Sequence, residues 1–179
     1  MFVLLRTGRS ERYSPVVWHL RGTNKKEMIK KIERTVSINT PPSKVWEYVT
    51  NPILMKKWMG ETEMNIEVST DWIVGNPIII KGFHHVNFEN KGTILQFTPQ
   101  KIIQYSHLSS ISRLADTKQN YSTITFMVTG TERKTLLEIQ VENFATESIY
   151  KHLNFYWQGT ANVLKNLIEQ SEVKTSHTK

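Results

Sequence analysis

The sequence contains no cysteine. That excludes a disulfide framework, thiol catalysis and thiolate metal sites, and it fits the reducing conditions of the cytoplasm, where the chain is expected to reside. Long apolar runs are missing too. None approaches the ~20 residues of a membrane-spanning helix, so no membrane span is expected. HExxH, HxxxH and GxSxG arrangements are likewise absent, which removes the common signatures of a zinc hydrolase and of a nucleophile elbow. Acidic residues are scarce, 16 against 23 Lys and Arg, which leaves a net charge of +7. What is present, 39% apolar and 22% charged residues over 179 positions, is enough for one domain with a sizeable core.

The excess charge is placed at the front. Residues 1–27 hold Arg6, Arg9, Arg12, Arg21, Lys25 and Lys26 against Glu11 and Glu27, more than half of the net charge. Phe2-Val3-Leu4-Leu5 is shorter than the ~7–15 residues of a secretory apolar segment, and no amphipathic period runs through 10–22. The segment reads as a disordered basic extension with no nucleic-acid partner. Met28 stands just before the first convincing strand and reads as an alternative start. The domain is expected over 28–170, followed by a disordered tail over 171–179.

Residues 32–39 alternate, with Ile32, Arg34, Val36 and Ile38 on one side, and read as a strand. Thr40 is placed to cap a helix whose first residue is Pro41 and whose buried stripe is Val45, Trp46 and Val49. Asn51-Pro52 starts a second short helix carrying Leu54, Met55, Trp58 and Met59, with Gly60 at its end. Strands are expected at 64–68, 72–74, 78–87, 92–97, 102–108, 121–129 and 135–143, with turns at 75–77, 89–92, 98–100 and 130–132. The segment 109–120 is longer than a hairpin needs and reads as a mobile flap. A long helix follows from about Thr146 to Gln170, its apolar stripe formed by Ile149, Leu153, Tyr156, Trp157, Leu164, Leu167 and Ile168. Gly159 lies within it, which predicts close packing or open space beside the sheet. The order predicts an α+β layer structure: one long helix on a curved antiparallel sheet.

Several pieces in order then resemble a known family. They are the 36–46 stretch Val-Ser-Ile-Asn-Thr-Pro-Pro-Ser-Lys-Val-Trp, Thr50-Asn51-Pro52, Lys57-Trp58-Met59, Asp71-Trp72-Ile73-Val74-Gly75, the strand and turn from Gly92 to Pro99, and Trp157 with Leu164-Lys165-Asn166-Leu167. Together they resemble the START-like, or SRPBCC, superfamily with its helix-grip fold. The nearest branch is the domain related to the C-terminal part of the activator of the ninety-kilodalton heat-shock protein ATPase. The resemblance implies an apolar cavity under the C-terminal helix that takes lipid-like or aromatic molecules, with no cofactor. It also implies a chaperone or other protein partner as an alternative, and a cyclase- or hydrolase-like enzyme on a polyketide-like substrate as a second. Nothing in the chain reads as the additional N-terminal domain of the eukaryotic cochaperones.

The candidate cavity residues are Trp46, Trp58, Trp72, His84, Tyr105, His107, Phe126 and Trp157, chosen for aromatic surface and for a polar edge able to orient a ligand. His84 and His85 are adjacent on a strand and are expected to point to opposite faces, while His107 on a later strand is placed to share one of them. Without further ligands at metal-binding spacing, no metal is expected. No catalytic residue is assigned. Ile111 and Leu114 lie in the flap and are the candidate gate.

Overall fold

The structure, a computed structural model, describes residues 30–176, with side chains to Ser171. The expectations placed on residues 1–27 and on Met28 lie outside the described residues, as does the end of the tail at 177–179. In chain order the elements are β1 (Ile32–Ile38), α1 (Pro42–Thr50), α2 (Pro52–Met55), β2 (Glu67–Ser69), β3 (Pro77–His84), β4 (Val86–Thr98), β5 (Ile102–Ser109), β6 (Ser122–Thr131), β7 (Lys134–Glu142) and α3 (Glu147–Ser176). The strands form one antiparallel sheet in the order β1-β7-β6-β5-β4-β3-β2. The sheet curves around α3, the one long helix on a curved antiparallel sheet that the element order predicts and the helix-grip fold that the resemblance implies.

Alternation decides which face is covered. In β7, Thr135, Leu137, Ile139 and Val141 are buried, and in β6 Ser122, Ile124, Phe126 and Val128. Leu153, Trp157, Ala161, Leu164 and Ile168 of α3 are buried as well, one stripe at the spacing of a helix. Arg34 does not break this face. Its guanidinium donates to Asn154 Oδ1 on α3 at 2.6 Å, so a charged residue on the inner side of β1 spans to the helix. Farther along α3, Lys165 donates to the Ser37 carbonyl at 2.6 Å, and Glu169 accepts from the Asn39 N–H at 2.9 Å. These contacts pin the second half of α3 to β1.

Several local expectations are corrected. The hairpin between β3 and β4 turns at His85, which adopts φ 60°, and residues 89–92 continue β4. Gly92 is there for proximity, not for a turn: a Cβ at this position would stand 1.6 Å from the Ser106 carbonyl oxygen of β5. Residues 72–74 form no strand. Trp72 takes φ 60°, and the Asp71 carboxylate accepts from the Ile73 N–H at 3.0 Å, which curls the chain into a turn. Thr40 does not cap α1; Pro41 holds the capping position, and Thr40 Oγ1 is buried without a partner. Tyr48 is buried on α1 beside Val45 and Val49, while Trp46 is half-buried. Gly159 faces solvent rather than the sheet, since nothing lies within 4 Å of the position its Cβ would take. The helix itself continues past Gln170 to Ser176.

Candidate functional site

Three structural units bring aromatic rings together under α3. Tyr105 of β5 and Phe126 of β6 rise from the inner face of the sheet, stacked with centroids 6.3 Å apart. Trp157 descends from α3 and meets Phe126 edge-on at 5.6 Å. Trp58 enters from the turn after α2, 6.2 Å from Phe126 and 6.4 Å from Trp157. All four are buried. Tyr156, next to Trp157, completes the group by donating its hydroxyl proton to the Met59 carbonyl at 3.0 Å.

The polar edges of these rings differ in one respect. Trp58 Nε1 donates to the Tyr48 carbonyl at 2.9 Å, which locks the α2 turn against α1. Trp157 Nε1 is equally buried and has no partner. An unpaired donor in an apolar interior costs about 1–3 kcal/mol. Asn90 of β4, like Thr40, carries a further orphan, a buried Oδ1 with no donor. Burial, and next the neighbouring Tyr156, push the Tyr105 phenol well above its ordinary pKa; burial does the same for Tyr156, opposed by its hydrogen bond with Thr160. Both phenols are therefore neutral donors.

His107 shares the inward parity of Tyr105 on β5 and stands opposite Ser122 of β6, itself buried. Its surface is half-buried, yet protein atoms surround the ring densely enough that burial, followed by the proximity of His152 on α3, pushes its pKa down to about 4. At neutral pH it is an uncharged imidazole at the end of the sheet covered by the start of α3.

The remaining sequence-derived candidates lie elsewhere. Trp46 and Trp72 join a different stack, on either side of Phe97 at 5.4 and 5.6 Å, and Trp72 Nε1 donates to the Thr50 carbonyl at 2.7 Å. A bulge between Ile94 and Gln96 makes this possible, because the extra residue Leu95 lets Ile94 and Phe97 both turn inward. His84 is corrected outright. It is exposed at the tip of the β3–β4 hairpin, where the sharp turn at His85 places the two imidazoles side by side at 4.6 Å instead of on opposite faces. Ile111 is exposed and Leu114 half-buried in the segment between β5 and β6. That segment is tied down: the Glu89 N–H donates to Ser110 Oγ at 2.9 Å, and Asp116 accepts from Lys91 and from the Tyr121 hydroxyl, each at 2.7 Å.

Tyr156 beside Trp157, Ser122 and His152 beside His107, and the orphaned Asn90 of β4 were not among the candidates. Tyr156 was legible in the helix stripe; Asn90 was hidden by the false turn at 89–92. Two open clefts lie apart from the ring cluster. One of about 800 Å³ follows the ends of β5 and β6 past Pro42 and Pro99, and one of about 330 Å³ lies between Asn65 and the β3–β4 hairpin; neither is lined by α3. Among the described residues no three His, Asp or Glu side chains are placed to hold a metal. No helix among them is long and apolar enough to cross a membrane.

Comparison with known proteins agrees with the fold. The family model described as "Activator of Hsp90 ATPase homolog 1-like protein" matches residues 39–169. A solution structure from Cytophaga hutchinsonii is 33% identical, covers 81% of this chain and 98% of its own, and superposes with a TM-score of 0.66. The Aha1 dimer from Colwellia psychrerythraea is 19% identical over 79% of this chain and 97% of its own, with a TM-score of 0.62. DynU16, a protein in the dynemicin biosynthetic locus, is 17% identical over 79% of this chain and 48% of its own, with a TM-score of 0.61. No curated protein matches the chain at a significant level.

Proposed function

The chain belongs to the family of proteins like the activator of Hsp90 ATPase homolog 1, and from that premise we propose that it binds an apolar small molecule between its sheet and α3, in the cytoplasm. The observation that carries this reading is the unpaired Nε1–H of Trp157, buried among the rings of Trp58, Phe126 and Tyr156. A site of this type needs apolar walls and a few polar groups that fix orientation. Trp157 supplies the donor and the neutral Tyr105 hydroxyl a second. A lipid-like or aromatic molecule with one carbonyl or hydroxyl oxygen accepts from these two donors while its body is desolvated against the rings.

The rings touch one another, so entry requires α3 and the sheet to part. The segment from Ser109 to Tyr121, with Ile111 and Leu114, is the proposed gate, because it leaves β5 two residues beyond His107 and returns into β6 at Ser122. Native mass spectrometry of the purified protein, followed by organic extraction, tests the reading. The expected result is a released apolar compound, or saturable binding of the neutral probe N-phenylnaphthylamine, together with binding of the carbonyl-bearing probe 6-propionyl-2-dimethylaminonaphthalene that is weakened in Trp157→Phe. A bare mass together with no probe binding contradicts it.

A second reading, a protein-interaction module with a chaperone partner, is favoured by the apolar side chains left exposed at one end of the fold: Ile53, Ile73 and Val74 are each more than half exposed. Isothermal titration with a purified ninety-kilodalton heat-shock protein separates the two. Binding lost in an Ile73→Asp, Val74→Asp variant supports the interaction module, and no heat of binding excludes that partner.

A further inference from the structure

The outer face of α3 is unlike the rest of the surface. From His152 to Gln170 the exposed positions are His152, Phe155, Gln158, Gly159, Asn162, Val163, Asn166 and Gln170. None is Lys, Arg, Asp or Glu, in a chain where 22% of residues are charged. The two charged residues in this stretch, Lys165 and Glu169, are only partly exposed and are tied to each other, to Ser37 of β1 and to Asn39 just after it. Phe155 is 80% exposed and Val163 50%. Gly159 sits between them, four residues from each, on the same stripe of the helix. Nothing in the chain's own fold explains a glycine there, since its Cβ would meet open space. Loss of charge with an aromatic anchor is the composition of the centre of an interface rather than of a solvated face.

We propose that this face docks a second copy of the chain, helix against antiparallel helix, about a two-fold axis at Gly159. The spacing is self-complementary. An axis through Gly159 places Phe155 of each copy opposite Val163 of the other, and the missing Cβ lets the two backbones approach at the centre. Absence of charge matters as much: each copy carries +7, and two such chains approach only through a face that brings no like charges together. The amides of Gln158, Asn162 and Asn166 supply donors and acceptors at the margin. The stretch is ~27 Å long, and the contact buries about 800–1,000 Å² in total, at the low end for a specific interface, so the dimer is concentration-dependent.

The test uses the full chain, by sedimentation from about 1 µM to about 1 mM. The wild type is expected to rise from 20.9 kDa toward twice that mass, and Phe155→Asp to remain at 20.9 kDa. Because the chain has no cysteine, an introduced thiol has no competitor. Gly159→Cys, on the axis, is expected to form a disulfide-linked dimer on mild oxidation. Gln170→Cys stands ~16 Å from the axis and ~33 Å from its mate, and is expected not to. A wild type that stays monomeric throughout overturns the proposal, including the case in which residues 1–29 of the same chain cover the face. So does a dimer that survives Phe155→Asp, or cross-linking of Gln170→Cys as readily as of Gly159→Cys.

Discussion

The Trp157 indole meets the Phe126 ring edge-on, with centroids 5.6 Å apart and planes at 76°, while its own N–H is buried without an acceptor. Packing and hydrogen bonding therefore make opposite contributions at this residue. Trp157→Phe removes the orphan donor and keeps a ring against Phe126, so its stability is expected within about 1 kcal/mol of wild type. Trp157→Ala opens a cavity and is expected to cost about 3–5 kcal/mol. Urea unfolding followed by circular dichroism measures both; equal losses would show that the N–H is no liability in the free protein.

His107 makes stability depend on pH. Its pKa in the fold is about 4, lowered first by burial and then by His152, whereas an unfolded histidine titrates near ~6.5. Between these values the unfolded chain binds the extra proton, so stability falls as the pH falls. The contribution is complete above pH ~6.5 and lost as the pH drops through about 4, up to about 3 kcal/mol. His107→Gln carries no titrating ring and is expected to flatten the pH dependence across this window. Unfolding midpoints of both proteins at about pH 7 and about pH 5 decide it; parallel losses would place the pH dependence on other groups.

Two glycines are expected to respond in opposite directions. Gly92→Ala drives a Cβ into the Ser106 carbonyl of β5, backbone against backbone, and is expected to cost about 3 kcal/mol or more. Gly159→Ala meets open space in a helix interior and is expected to stabilise the monomer by about 1 kcal/mol, raising Tm by about 2–4 °C in dilute solution. A destabilised Gly159→Ala monomer would mean that the glycine has a role within the single chain.

The proposed gate is held by Asp116, which receives both Lys91 and the Tyr121 hydroxyl. Asp116 is exposed and its two partners are only half-buried, so Asp116→Asn is expected to change stability by less than about 1 kcal/mol. It is expected to speed both association and dissociation of N-phenylnaphthylamine with little change in Kd. Stopped-flow fluorescence reads the two rates, and unchanged rates would remove this segment from the entry path.

Periodicity carried most of the fold. The alternation of Leu137, Ile139 and Val141, and the stripe from Ile149 to Ile168, are enforced by burial on one side only, and such patterns survive in the sequence. What failed were positions whose reason is a distant neighbour. Gly92 looked like a turn because glycine usually serves one, but the requirement comes from Ser106, fourteen positions on. His85 takes a left-handed turn conformation with no glycine to mark it. The aromatic site was half legible for the same reason. Composition chose the rings, but only the register of β5 with β6 separates Tyr105 and Phe126 from Trp46 and Trp72, which pack on Phe97.

The central claim is that the Trp157 N–H waits for a ligand acceptor in an apolar interior. The most direct test is the indole region of a ¹H–¹⁵N correlation spectrum, with the Trp157 cross-peak assigned through Trp157→Phe, during titration with an apolar compound bearing one carbonyl group. The expected result is a saturable downfield shift of the Trp157 indole proton, with the Trp46 and Trp72 signals unmoved. A Trp157 signal that stays in place at saturation, while the ligand binds, would contradict the account.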